Sequence, residues 1–233
     1  MKNALRILLA VGLVSPAVVR AAGKPEPAFT DTFNVDKADL VSTGVNRYFV
    51  LNPGFQLVLE GKPDGKKTAL TITVLNETKL IDGVETRVVE EKETVDGQLA
   101  EISRNFFAIS KRTGDVFYFG EDVDIYKKGK ITSHEGAWRS GVAGARFGLM
   151  IPGPARPGAR YQQEVAPGVA MDRAEVVSVT ETFETPAGRF ENCLKTEEST
   201  PLEMGKAHKL YAPGVGLIYD GGLTLVKSGH VPL

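Results

Sequence analysis

A chain of 233 residues with 28 basic and 29 acidic side chains can bury a sizeable core, and it lacks the basic excess that a general nucleic-acid binder needs to displace counterions. Its single cysteine, Cys193, excludes an intramolecular disulfide, so compartment has to be read from other features.

The first residues carry the strongest signal. Lys2 and Arg6 form a positive start, Ile7 to Val19 is an apolar run of about 13 residues, and Ala21, Ala22 and Gly23 follow as small residues. A spanning helix needs roughly 20 apolar residues, and Pro16 interrupts this run, so the pattern predicts a cleaved secretory leader over residues 1–21 and not an anchor. Export to the periplasm or the exterior follows, with no transmembrane anchor after cleavage. Without the leader's Lys2, Arg6 and Arg20, the mature chain holds 25 basic against 29 acidic residues, which argues against docking on anionic lipid as well as on nucleic acid.

Residues 22–46, with Pro25 and Pro27, read as a weakly structured lead-in, and residues 47–230 as one domain. Thr68 to Thr78 alternates, with Leu70, Ile72 and Val74 on one face and Thr71 and Thr73 on the other. Asp82-Gly83 and Asp96-Gly97 sit between such runs and predict tight hairpins, because those turns need positive φ. Thr113-Gly114 and Lys128-Gly129 are further turn candidates. Later runs span 159–165, 174–185, 189–196, 207–211 and 215–219, with Pro186-Ala187 and Pro213-Gly214 as breaks. No helix-length 3.6-residue apolar period occurs in the mature part. The fold class is therefore all-β, an antiparallel meander of about ten strands curled into a barrel, half-barrel or sandwich.

Gly136 to Gly158 departs from this rhythm, with six glycines, three prolines, Arg139, Arg146 and Arg156, and no acid. It is expected as a long loop. One reading makes it a lid whose guanidiniums and Trp138 meet a ligand, bracketed by Glu135, Glu164 and Asp172. The other makes it a plug, its apolar residues closing the domain and its arginines paired to the flanking acids.

Enzyme signatures are absent: no Gly-x-Ser-x-Gly elbow, metal-binding histidine pair, phosphate loop or dinucleotide fingerprint. His134, His208 and His230 lack ligand spacing. Glu121, Asp122 and Asp124 are the candidate metal ligands, since calcium takes several carboxylate oxygens from one loop. A charged hairpin end would look the same. Alternation places Cys193 on a partly exposed face with Arg189, Glu191 and Lys195.

Three stretches, Asn46 to Gly54, Val116 to Asp122 and Tyr211 to Ile218 (Tyr-Ala-Pro-Gly-Val-Gly-Leu-Ile), together resemble an uncharacterised group of exported bacterial β domains. The resemblance covers most of residues 46–227. That group is loosely similar in architecture to the curved half-barrels of the LolA/LolB lipoprotein carriers. With no recognisable nucleophile or metal set in the sequence, the reading is an exported non-catalytic protein binding a small or apolar ligand, or an envelope partner, in a curved sheet. An exported carboxylate-dependent hydrolase and a structural protein without ligand are the alternatives. No cofactor beyond calcium is suggested.

Overall fold

A computed structural model describes residues 28–233; the predicted leader lies outside them. The strands are β1 (Leu40–Val41), β2 (Val45–Asn46), β3 (Phe49–Val50), β4 (Phe55–Gly61), β5 (Thr68–Ile81), β6 (Val84–Val95), β7 (Gln98–Ser110), β8 (Val116–Lys127) and β9 (Lys130–Ser133). They continue with β10 (Trp138–Arg139), β11 (Arg146–Ile151), β12 (Arg160–Gln162), β13 (Glu164–Val165), β14 (Arg173–Thr185), β15 (Gly188–Ser199), β16 (Ala207–Ala212), β17 (Gly216–Asp220) and β18 (Leu223–His230). Two 3₁₀ turns, Lys37–Asp39 and Pro63–Gly65, are the only helical segments among the described residues. No helix there is long and apolar enough to cross a membrane.

Sixteen strands form one antiparallel sheet: thirteen follow the path β12-β14-β15-β16-β17-β18-β4-β5-β6-β7-β8-β11-β13, while β1 pairs with β7 and both β9 and β10 pair with β8. The two ends of this path are neighbours in the chain, separated only by Gln163. β12 pairs with β14, and β13 pairs with β11. One short segment, 160–165, therefore bonds to both edges in turn and nearly closes the sheet into a barrel, leaving little open edge. Gly148 of β11 permits this seam. A Cβ there would stand 2.4 Å from the Gln163 carbonyl group. Gly148→Ala is expected to force the seam apart and cost about 1–3 kcal/mol, the range for overpacking, read as a lower urea midpoint. An unchanged midpoint would show that the seam yields freely.

Turn chemistry sets the register. Asp82-Gly83, Asp96-Gly97 and Lys128-Gly129 all have positive φ at both residues and close the two-residue hairpins Ile81↔Val84, Val95↔Gln98 and Lys127↔Lys130. Pro186-Ala187 closes a fourth two-residue connection, Thr185↔Gly188, without positive φ, because the proline ring fixes φ near −65°. The strands exceed ten because β1, β2, β3, β10 and β13 are two residues long, too short to show any alternation.

Three expectations are corrected. The 136–158 stretch is not one long loop, since β10 and β11 within it both pair with β8. Its glycines in part serve close backbone approach: Cβ atoms at Gly148 and Gly153 would collide with neighbouring main chain. The chain also docks earlier than residue 47. Thr30 bridges to Tyr161, Phe33 packs its ring edge on Phe117 at 5.8 Å, and β1 pairs with β7. Such anchoring by single contacts leaves no periodic trace in sequence. Cys193, finally, is fully buried. Asn192 takes a left-handed backbone conformation (φ 55°), which breaks the alternation and turns both Cys193 and Leu194 inward.

The main core gathers Val74, Val89, Phe106, Phe119, Ile151 and Tyr211 with many others. A second cluster holds Leu59, Leu70, Cys193, Ile218 and Leu225. The tip of the β14–β15 hairpin folds onto it: the Ala187 N–H donates to the Leu225 carbonyl (3.2 Å), and the Phe183 ring meets Tyr219 edge-on.

Candidate functional site

Inside the barrel lie two adjoining chambers of about 620 and 720 Å³, the space at their mouths included. Glu91, Phe107, Met150 and Lys209 line both, so the two share a wall. The first chamber is apolar, walled by Phe55, Leu57, Ile72, Val89 and Leu217, with Lys209, Asp220 and Glu91 at its polar limit. The second is rich in carboxyl groups, with Glu121, Glu164, Asp172 and Glu198 among Ser103, Asn105 and Gln163.

Strand register accounts for this polarity. Directly paired residues on neighbouring strands project to the same side. The pairs Val89↔Asn105↔Glu121 and Glu91↔Ser103 thus carry two glutamates to the interior from β6 and β8. Glu93 stands opposite Glu101 one step further along, a like-charge pair that costs stability. Across the barrel, β16 contributes Lys209 and Tyr211, and β17 contributes Asp220.

Interior charges are only partly compensated. Lys209 Nζ lies 3.1 Å from Glu198 and 3.5 Å from Asp220. Burial alone would lower the Lys209 pKa, but Asp220 and Glu198 hold it well above its ordinary value. Glu198 also accepts from Gln163 Nε2 (3.1 Å). Glu164 Oε1 accepts the Asp172 backbone N–H (2.9 Å). Burial, joined by the charge of Asp172, nevertheless pushes the Glu164 carboxyl well above its usual range. Burial also raises Glu91 to about 7, against the pull of Lys209, and raises Glu121 to about 8 with help from Glu101 and Glu91. Both glutamates keep some accessible surface because they face chamber space while protein surrounds them on the other sides. The Tyr118 hydroxyl donates to Asn105 Oδ1 (2.6 Å) beside Glu121. The Tyr211 hydroxyl is buried and has no hydrogen-bond partner among the described residues.

The residues singled out from sequence separate into two groups. Glu164, Asp172 and Glu121 line the second chamber together. Trp138, Arg139, Arg146 and Glu135 do not line either chamber. Trp138 is buried with its ring edge-on to Tyr118 at 5.3 Å. Arg139 donates to the Glu121 carbonyl (2.9 Å), pairs with Asp122 and lies over the Phe106 ring. Arg146 pairs with Asp31 at 3.2 Å, and Glu135 is exposed. Of these two arginines only Arg139 pairs with a flanking acid, as a plug requires; the partner of Arg146 lies in the lead-in.

Glu121, Asp122 and Asp124 are not brought together as a calcium set. Alternation along β8 sends Glu121 into the barrel and its neighbour Asp122 outward, where Arg139 and Lys79 hold it. Asp124 pairs with His134 at 2.8 Å. Among the described residues no cluster of three or more His, Cys, Asp or Glu side chains is placed to hold a metal ion. Sequence reasoning missed Glu91, Glu198, Lys209, Tyr211 and Asp220. The available signal was the β6 run Val89-Glu90-Glu91-Lys92-Glu93, where alternation puts Glu91 and Glu93 on the same face as the buried Val89.

No family model matches the chain, and no curated protein matches it. Among solved structures it is similar to "a putative lipoprotein from Parabacteroides distasonis ATCC 8503", at 14% identity and a TM-score of 0.39, over 80% of this chain and 100% of that one.

Proposed function

We propose that this chain is an exported, non-catalytic binding protein that carries a small, mainly apolar ligand in the first chamber of its barrel. The observation that supports it is the chamber itself, an apolar space walled by Phe55, Leu57, Ile72, Val89 and Leu217 inside a nearly closed sheet. Small-molecule sites are typically concave and apolar with a few convergent polar groups, and β-barrel interiors commonly supply them. The sequence contributes the export half of the proposal through its predicted leader.

The test is fluorescence of N-phenyl-1-naphthylamine, a neutral apolar probe that brightens on leaving water. The mature protein is expected to enhance it saturably, and Ile72→Trp, which fills the chamber, to abolish most of the enhancement. Absence of enhancement by the folded wild-type protein would overturn the binding reading.

A further inference from the structure

Resting on that binding reading, we infer that the ligand is an amphiphilic organic cation, its apolar part in the first chamber and its ammonium group among the carboxylates that begin at the shared wall. Six acids, Glu91, Glu121, Glu164, Asp172, Glu198 and Asp220, line the two chambers against a single basic side chain, Lys209. Lys209 already engages Glu198 and Asp220. The Glu91 carboxyl stands on the boundary between the apolar and acidic spaces, with no hydrogen bond from any described residue.

Tyr211 is the independent indication. Its side chain lines the apolar chamber, it is 2% exposed, and its hydroxyl has no partner among the described residues. A buried hydroxyl without a partner costs about 1–3 kcal/mol. An ammonium N–H donated to the Tyr211 oxygen removes that cost, and the hydroxyl lies close enough to Glu198 and Lys209 to feel both charges. A divalent metal would need several oxygens converging at roughly 2.3–2.6 Å, which the described residues do not offer. An ammonium group needs only hydrogen-bond distances, and its carbon chain continues into the apolar chamber.

The elevated pKa values of Glu91 and Glu121 agree with this assignment. Each carboxyl keeps its proton toward neutrality, owing to burial foremost and to neighbouring acids. A bound cation supplies the missing countercharge, so binding should release protons and tighten as pH rises from 6 to 8.5. The groups facing Glu121 are Glu101, Glu91, Tyr118, Asp172 and Glu164; those facing Glu91 are Lys209, Asp220, Glu93, Glu121 and Tyr118.

The experiment compares three ligands of equal chain length, octylammonium, 1-octanol and octanoate, by calorimetry on the mature protein at pH 8. Octylammonium is expected to bind at least tenfold tighter than either of the others, with proton release visible as a dependence of the heat on buffer ionisation enthalpy. Glu91→Gln/Glu121→Gln should erase that preference, so that octylammonium binds no tighter than octanol. Octanol or octanoate binding as tightly as octylammonium overturns the cation assignment and leaves the apolar chamber standing. No binding of any of the three overturns both. The wild-type comparison decides the matter even if the double variant misfolds.

Discussion

Lys209→Met is expected to destabilise the protein by about 3–5 kcal/mol at pH 8, the cost of removing one partner from a buried ion pair. The lysine sits 3.1 Å from Glu198 and 3.5 Å from Asp220, and the three side chains are 11–20% exposed, so water screens them little. Removing it leaves two acids facing Glu91 without a countercharge. Asp220, already raised above its ordinary value by burial, can relieve this by taking up a proton, so the loss should shrink markedly at pH 5. Urea denaturation at the two pH values measures it, and Lys209→Met/Asp220→Asn should recover part of the loss at pH 8. A loss below about 1 kcal/mol at pH 8 would place these ions in the regime of exposed pairs, solvated by chamber water.

The interior of this barrel therefore departs from what stability alone would select. Replacing interior ions by apolar residues is often neutral or stabilising, and the first chamber is indeed lined in that manner, by Leu57, Ile72, Val74 and Val89. The second keeps a carboxylate lining, and Glu93 stands directly opposite Glu101. Local conflicts of this kind, where patterning and packing disagree, concentrate at functional sites. They mark the acidic chamber as the part of the fold shaped by something other than folding.

Much of the fold was legible because turn chemistry and period-2 alternation are local. Asp82-Gly83 and Asp96-Gly97 require positive φ wherever they sit in a tight hairpin, and Leu70, Ile72 and Val74 announce an inward face without reference to any other strand. What was illegible depends on long-range closure. Nothing in residues 160–165 says that β12 will bond to β14 and β13 to β11. Gly148 reads in sequence as a flexible joint, whereas it is the place where two main chains touch. The site was half legible for the same reason. Glu121, Glu164 and Asp172 stand out as acids flanking an unusual segment, yet the arginines and Trp138 of that segment turn to the outside and to the core. Lys209, Tyr211 and Asp220 come from strands far along the chain, and only barrel closure sets them across from Glu91.

Stability should fall as pH rises from about 5 to 8.5, opposite to the usual behaviour of a protein held by surface carboxylates. Glu91 and Glu121 move from an ordinary 4.5 to about 7 and about 8 in the native state, through burial first and neighbouring acids second. Glu93, Glu164 and Asp220 are raised as well, for the same leading reason. Below about pH 4.5 both folded and unfolded chains hold these protons, and the groups contribute no difference. Between that pH and their native values the folded chain binds more protons than the unfolded one, so each increment of pH weakens folding. Once pH passes about 8 both states are ionised and the penalty of Glu91 and Glu121 is complete. The cost is about 1.4 kcal/mol for each pH unit by which the native state holds a proton longer, several kcal/mol in all. On the acid side Asp82 and Asp122 act oppositely. Burial works against them, but Lys37 with Ser140 and Arg139 with Lys79 keep their carboxyls below 3.8, and that stabilisation is lost as pH falls through those values. The maximum is therefore expected near pH 5. Urea midpoints at pH 5, 7 and 8.5 should decline in that order, and Glu121→Gln should flatten the decline. Midpoints that rise from pH 5 to 8.5 would show that the interior carboxyls ionise as freely as in water. Octylammonium at pH 8.5 should recover much of the loss, because a cation in the acidic chamber adds a positive charge where Lys209 alone faces six acids.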